Sequence, residues 1–154
     1  MGDTSWQQRS PIAWYGTSIL QCTGVSRPGQ CVTNQVSRLL DREILNFGFN
    51  GCGTMEISMA KYLVEIQDPP ALFIIDCSWN MDAELITERA APLVRFIRAA
   101  PGHGSTPILL VSGTPYRKNW LVSTPGAGNR TSENPGAIVD GARYLRKQHN
   151  TTST

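Results

Sequence analysis

The stretch WYGTSILQ, Trp14 to Gln21, sets an apolar pair, a glycine, two hydroxyl residues and a second apolar pair in succession. This order suits a strand that runs into a sharp turn and then a helix, and such a turn can lift one hydroxyl into a cleft. The hydroxyl so placed is that of Ser18, whose own N–H would point into the same cleft. Ser18 could instead cap the helix that follows.

Further along the chain, the apolar runs IAWY (Ile12 to Tyr15), EILNFGF (Glu43 to Phe49), ALFIID (Ala71 to Asp76) and PILLVS (Pro107 to Ser112) read as buried strands. Helical spacing lies between them. Val32 to Leu40 and Met55 to Ile66 carry weaker patterns. Asp82 to Ala100 puts Leu85, Ile86, Ala90, Leu93, Val94 and Ile97 on one stripe, with Asp82 as N-cap and Pro101-Gly102 as the stop. Strand alternating with helix predicts an α/β fold with a parallel sheet covered on both faces. Ligand sites in such sheets gather beyond the carboxyl ends of the strands, where Gly16 to Ser18, Asn50 to Gly53 and Cys77 to Asn80 would face one crevice.

The whole chain of 154 residues is the size of one domain, and its 14 Lys and Arg against 12 Asp and Glu leave a formal charge of +2 without a basic run. Nucleic acid is therefore not expected as a partner. No stretch is apolar for long enough to cross a bilayer, so no membrane partner is expected. MGDTSWQQRS has no apolar run before a cleavage site, which makes the cytoplasm the expected compartment. Cys22, Cys31, Cys52 and Cys77 form no Cys-x-x-Cys pair, and neither His103 nor His149 stands at a ligand spacing from them, so no metal is expected. Their disulfide state is left open. Residues 1–10 are expected to be a flexible N-terminus, and 11–120 the α/β domain. Residues 121–154 are expected to be a polar tail, with a short helix over 138–147 and a frayed end.

Ester hydrolysis by serine needs a hydroxyl, a base for its proton and preorganised donors for the oxyanion. Ser18 supplies the hydroxyl. The loop FNGCG offers the backbone N–H of Gly51, and DCSWN offers the side-chain amide of Asn80. Gly48, Gly51 and Gly53 do not have the spacing of a dinucleotide fingerprint, and suit tight turns of an oxyanion loop. Asn80 could alternatively cap the helix near Asp82. Asp76 would orient neighbouring loops by accepting backbone hydrogen bonds. Arg27 is either a surface turn residue or a clamp on the substrate side. A nucleotide or flavin binder on the same architecture is a further, non-hydrolytic reading.

In order and separation, YGTSILQCTGVSRPG, NFGFNGCG and IDCSWNM resemble the first three motifs of the SGNH hydrolases, the GDSL esterase and lipase superfamily. The resemblance covers Pro11 to Trp120, with Thr17 in place of the aspartate of Gly-Asp-Ser. It implies a flavodoxin-like three-layer α/β/α sandwich, with Ser18 as nucleophile and Gly51 and Asn80 as oxyanion donors. The implied activity is hydrolysis of acyl esters, often acetyl groups on carbohydrates, without a cofactor. The family's fourth motif, Asp-x-x-His, does not occur in the sequence. The nearest base candidates are Asp140 and His149, nine residues apart, while His103 is expected at the opposite end of the sheet from Ser18. The chain is thus expected to be a C-terminally truncated or frame-shifted member. Its activity would need a base from elsewhere; the alternative is a catalytically impaired remnant or a non-catalytic binding protein. Loss of a fifth strand would leave a sheet edge open to self-association.

Overall fold

The computed structural model describes residues 9–113. Four parallel strands, β1 (Ile12–Gly16), β2 (Ile44–Gly48), β3 (Leu72–Asp76) and β4 (Ile108–Leu110), form one sheet in the order β2-β1-β3-β4. Each of the four apolar runs yields its strand: β1 extends one residue beyond its run, and the other three are trimmed by one to three residues in all. Parallel strands need crossovers, and three helices supply them: α1 (Val32–Leu40), α2 (Ile57–Val64) and α3 (Ala83–Ala99). The order is that of flavodoxin-like sheets, as expected.

Burial divides the two faces. Residues side by side in parallel strands share a face, so Ala13 and Tyr15 of β1 lie with Phe73 and Ile75 of β3. These four join Ala60 and Leu63 of α2 and Ile86, Ala90, Leu93 and Ile97 of α3 in one buried core. α1 belongs to the opposite face, where Asn46 of β2 donates to Thr33 Oγ1 at 3.1 Å. Helices thus lie on both faces of the sheet, the three-layer arrangement of the flavodoxin-like class.

α3 begins as its sequence predicts, with Asp82 accepting from the N–H of Leu85 at 2.9 Å. Its stripe is buried except for the half-buried Leu85. Pro92 lies within this helix, where it can donate no backbone hydrogen bond; its side is exposed. α2 starts later than the periodicity suggests, because Met55 has φ 57° and Glu56 is extended, neither of which is helical.

The helix expected straight after Ser18 is absent. Residues 18–24 run as successive turns, with Gln21 N–H donating to Thr17 O and Thr23 N–H to Ser18 O, both at 3.0 Å. Cys22 at φ 73° stops the winding, and α1 begins only at Val32. Cys22 and Cys31 are joined as a disulfide with Cα atoms 5.3 Å apart, while Cys52 and Cys77 are free thiols. Residues 121–154, with the helix expected at 138–147, Asp140 and His149, lie outside the described residues, as do residues 1–8.

Candidate active site

The strand register fixes the level of the site. Gly16 of β1 pairs with Gly48 of β2 and with Asp76 of β3, so three strands end side by side and release three loops at one edge. Ser18 is two residues past this line, Gly51 three and Asn80 four.

Close backbone packing draws those loops together. At Gly48 a Cβ would stand 2.3 Å from Gln21 N, because the turn after Ser18 folds onto the end of β2. At Gly53, which has φ 75°, a Cβ would stand 2.4 Å from Gly16 O and 3.2 Å from Thr17 N. Any larger residue at either place would push the turn of Ser18 away from the β2 loop. Hydrogen bonds hold the same arrangement: Phe49 N–H donates to Gly16 O at 3.1 Å, and Asn46 donates through Nδ2 to Leu20 O at 2.9 Å.

Ser18 is half-buried between the buried Thr17 and the exposed Ile19, and its hydroxyl has no hydrogen-bond partner among the described residues. It caps no helix. Gly51 is exposed, with open space where a Cβ would project. Asn80 ends a short 3-10 turn, Ser78–Asn80, and donates through Nδ2 to Cys52 O at 2.6 Å. That bond ties the β3 loop to the β2 loop and uses one of the two N–H groups of the amide. Since Asp82 caps α3, the capping alternative for Asn80 is excluded.

Two other expectations have different outcomes. His103 is buried among the residues at the opposite sheet end, as its place in the chain predicts: its Nε2 lies 3.1 Å from Val64 O and its ring 5.5 Å from that of Phe73. Among the described residues no loop N–H donates to the Asp76 carboxyl oxygen Oδ1. That oxygen is buried with no hydrogen-bond partner among the described residues, as is Nε1 of Trp14. Burial pushes the Asp76 carboxyl up to about 6, against a smaller opposing pull from the Trp14 indole.

Sequence reasoning missed the polar cluster beneath the β2 loop. Tyr15 OH donates to Glu56 Oε2, and Thr54 donates its N–H to Oε2 at 2.9 Å and its hydroxyl to Oε1 at 2.7 Å. Arg89 of α3 completes it, donating from Nη1 to Thr54 O at 3.1 Å and to Thr54 Oγ1 at 2.8 Å. One signal existed, since a tyrosine in a buried strand needs a partner for its hydroxyl. Desolvation raises the Glu56 pKa, but the hydrogen bonds from Tyr15 and Thr54 outweigh it and leave the carboxyl below its ordinary value. Among the described residues no group of three or more His, Cys, Asp or Glu could hold a metal, and no helix is long and apolar enough to cross a membrane.

A parallel sheet in the order β2-β1-β3-β4, with a serine, a glycine loop and an asparagine at the carboxyl ends of three successive strands, has the flavodoxin-like α/β architecture. The chain belongs to the GDSL-like lipase/acylhydrolase family, among the SGNH hydrolases, whose family model matches residues 9–151. The match runs past Trp120, where the motif resemblance stopped, and takes in Asp140 and His149. Among solved structures, a protein described as a GDSL-like lipase from Bacteroides ovatus is 30% identical, with a TM-score of 0.80 over 92% of this chain and 40% of its own. The salicylyl-acyltransferase SsfX3 from a tetracycline biosynthetic pathway is 19% identical, with a TM-score of 0.73 over 95% of this chain and 41% of its own. AlinE4, an SGNH-hydrolase family esterase, is 23% identical, with a TM-score of 0.62 over 94% and 74%. These last two similarities concern the fold alone. The chain spans about two fifths of the length of the first two. A search among curated proteins gave no match.

Proposed function

We propose that the chain hydrolyses acyl esters, acetyl esters of carbohydrates among them, with Ser18 as nucleophile. Ser18 Oγ attacks the ester carbonyl carbon, and the carbonyl π electrons move to oxygen. The oxyanion accepts hydrogen bonds from the N–H of Ser18, the N–H of Gly51 and the remaining N–H of the Asn80 amide. Collapse of this intermediate expels the alcohol, and water then releases the acyl group from serine.

The observation that carries the reading is the 2.6 Å bond from Asn80 to Cys52 O, next to a Gly53 packed on the Gly16–Thr17 peptide. Together they gather the three motif loops at one edge. Acyl-ester hydrolysis is also the chemistry of the family. The proton of Ser18 is assigned to His149, with Asp140 as its partner; both lie outside the described residues and inside the family match. The position of His103 favours one rival reading, a catalytically impaired protein that keeps the cleft, because the sole described histidine lies away from Ser18.

The deciding experiment is hydrolysis of p-nitrophenyl acetate by the 154-residue chain beside Ser18→Ala and His149→Ala. Turnover should fall on the order of a hundredfold or more in both variants. Equal background rates in all three chains would favour the impaired protein.

A further inference from the structure

The loop from Phe49 to Glu56 is an unstable piece of chain taken alone. Gly51, Gly53 and Met55 all have positive φ, 71°, 75° and 57°, and Met55 holds that conformation with a side chain attached and fully buried. Its entry is held by Phe49, through the N–H bond to Gly16 O and through its ring, which meets that of Tyr15 edge-on at 6.3 Å. Its exit is held by the Glu56 carboxylate.

We propose that Glu56 is the positioning residue of this loop, coupling the N–H of Gly51 to the strand that carries Ser18. The inference rests on the reading of Gly51 as an oxyanion donor. Glu56 takes two hydrogen bonds from Thr54, inside the loop, and one from Tyr15, which stands three residues before Ser18 on the central strand β1. One carboxylate therefore sets the height of the loop relative to the serine turn. Arg89 braces Thr54 from α3, so the loop is held against the sheet and against a helix at once.

The donor and acceptor pattern suits an ionised carboxylate, which accepts at both oxygens. All three bonds to Glu56 come from donors, and the Thr54 hydroxyl can give its proton to Oε1 while accepting from Arg89. Glutamine at 56 keeps the shape but exchanges charge-assisted bonds for weaker neutral ones, and its amide nitrogen, facing Thr54 Oγ1, reverses the direction of that bond.

The test compares the full chain with Glu56→Gln and Thr54→Val, reading kcat and KM for p-nitrophenyl acetate and amide hydrogen exchange along the backbone. Glu56→Gln should lower kcat about tenfold or more with KM within about twofold. It should also speed exchange over residues 50–54 about tenfold while β3 keeps its protection. Thr54→Val should show a smaller change of the same kind, and its readouts stand in if Glu56→Gln does not fold. Unchanged loop exchange, or exchange accelerated equally in the loop and β3, would overturn the proposal, as would a change in KM alone. If wild type and Ser18→Ala show the same background rate, the hydrolase reading has failed, and loop exchange alone decides whether Glu56 positions the loop.

Discussion

Asp76 is the described carboxylate whose environment most opposes its charge. Its carboxyl rises from 3.8 to about 6 on burial, with Oδ1 left without a described partner. A raised acid favours the fold while protonated in both states, and that contribution fades as pH climbs from about 4 to about 6. Asp76→Asn should therefore flatten stability across that window and add on the order of 1–2 kcal/mol at neutral pH, less than the full shift implies because solvent reaches part of the group. Thermal melts at a series of pH values check this; parallel curves for the two chains would reject it. Glu56 has the opposite sign. Its lowered pKa adds stability above its ordinary 4.5, and that share is lost as pH falls through the folded value. The Tyr15 phenol is pushed far upward by burial and by neighbouring negative charge, which keeps it a donor.

Elements differ in how openly their ends are written. α3 is legible because its cap is local: Asp82 reaches Leu85 only three residues on, and the stop follows at Pro101-Gly102. Asp82→Ala should cost about 1 kcal/mol, measured by urea denaturation, since it strips the first turn of its side-chain acceptor. An unchanged midpoint would mean that water caps the helix equally well. The turn after Ser18 was not legible in the same way. Gly16-Thr17-Ser18 signals a break, but the next helix is delayed to Val32 by Cys22 in a left-handed conformation and by its disulfide to Cys31. The start of α2 was misjudged for a similar reason: Met55 suits the apolar stripe, yet the loop forces it to positive φ, and strain there overrides pattern.

For the whole molecule, the open question is the sheet edge. Among the described residues β4 has no neighbour on its outer side, and Leu109 is half exposed. Unpaired N–H and C=O groups along such an edge can pair with another copy. We expect apparent mass to rise with concentration in size-exclusion chromatography with light scattering; a constant monomer mass would remove this expectation.

The sequence by itself determined the alternation of strand and helix, the burial stripe and cap of α3, and the order of three motifs at strand ends. Each of these depends on periodicity or on groups a few residues apart. Only the tertiary structure decided that Asn80 reaches Cys52 O, that Gly53 lies against Gly16, and that Glu56 holds Tyr15, Thr54 and, through Thr54, Arg89 in one cluster. It also left Asp76 Oδ1 without a backbone donor among the described residues. These contacts join residues tens of positions apart. Which of many polar side chains meet depends on strand register and helix placement, set by packing of the whole core rather than by any local run of residues.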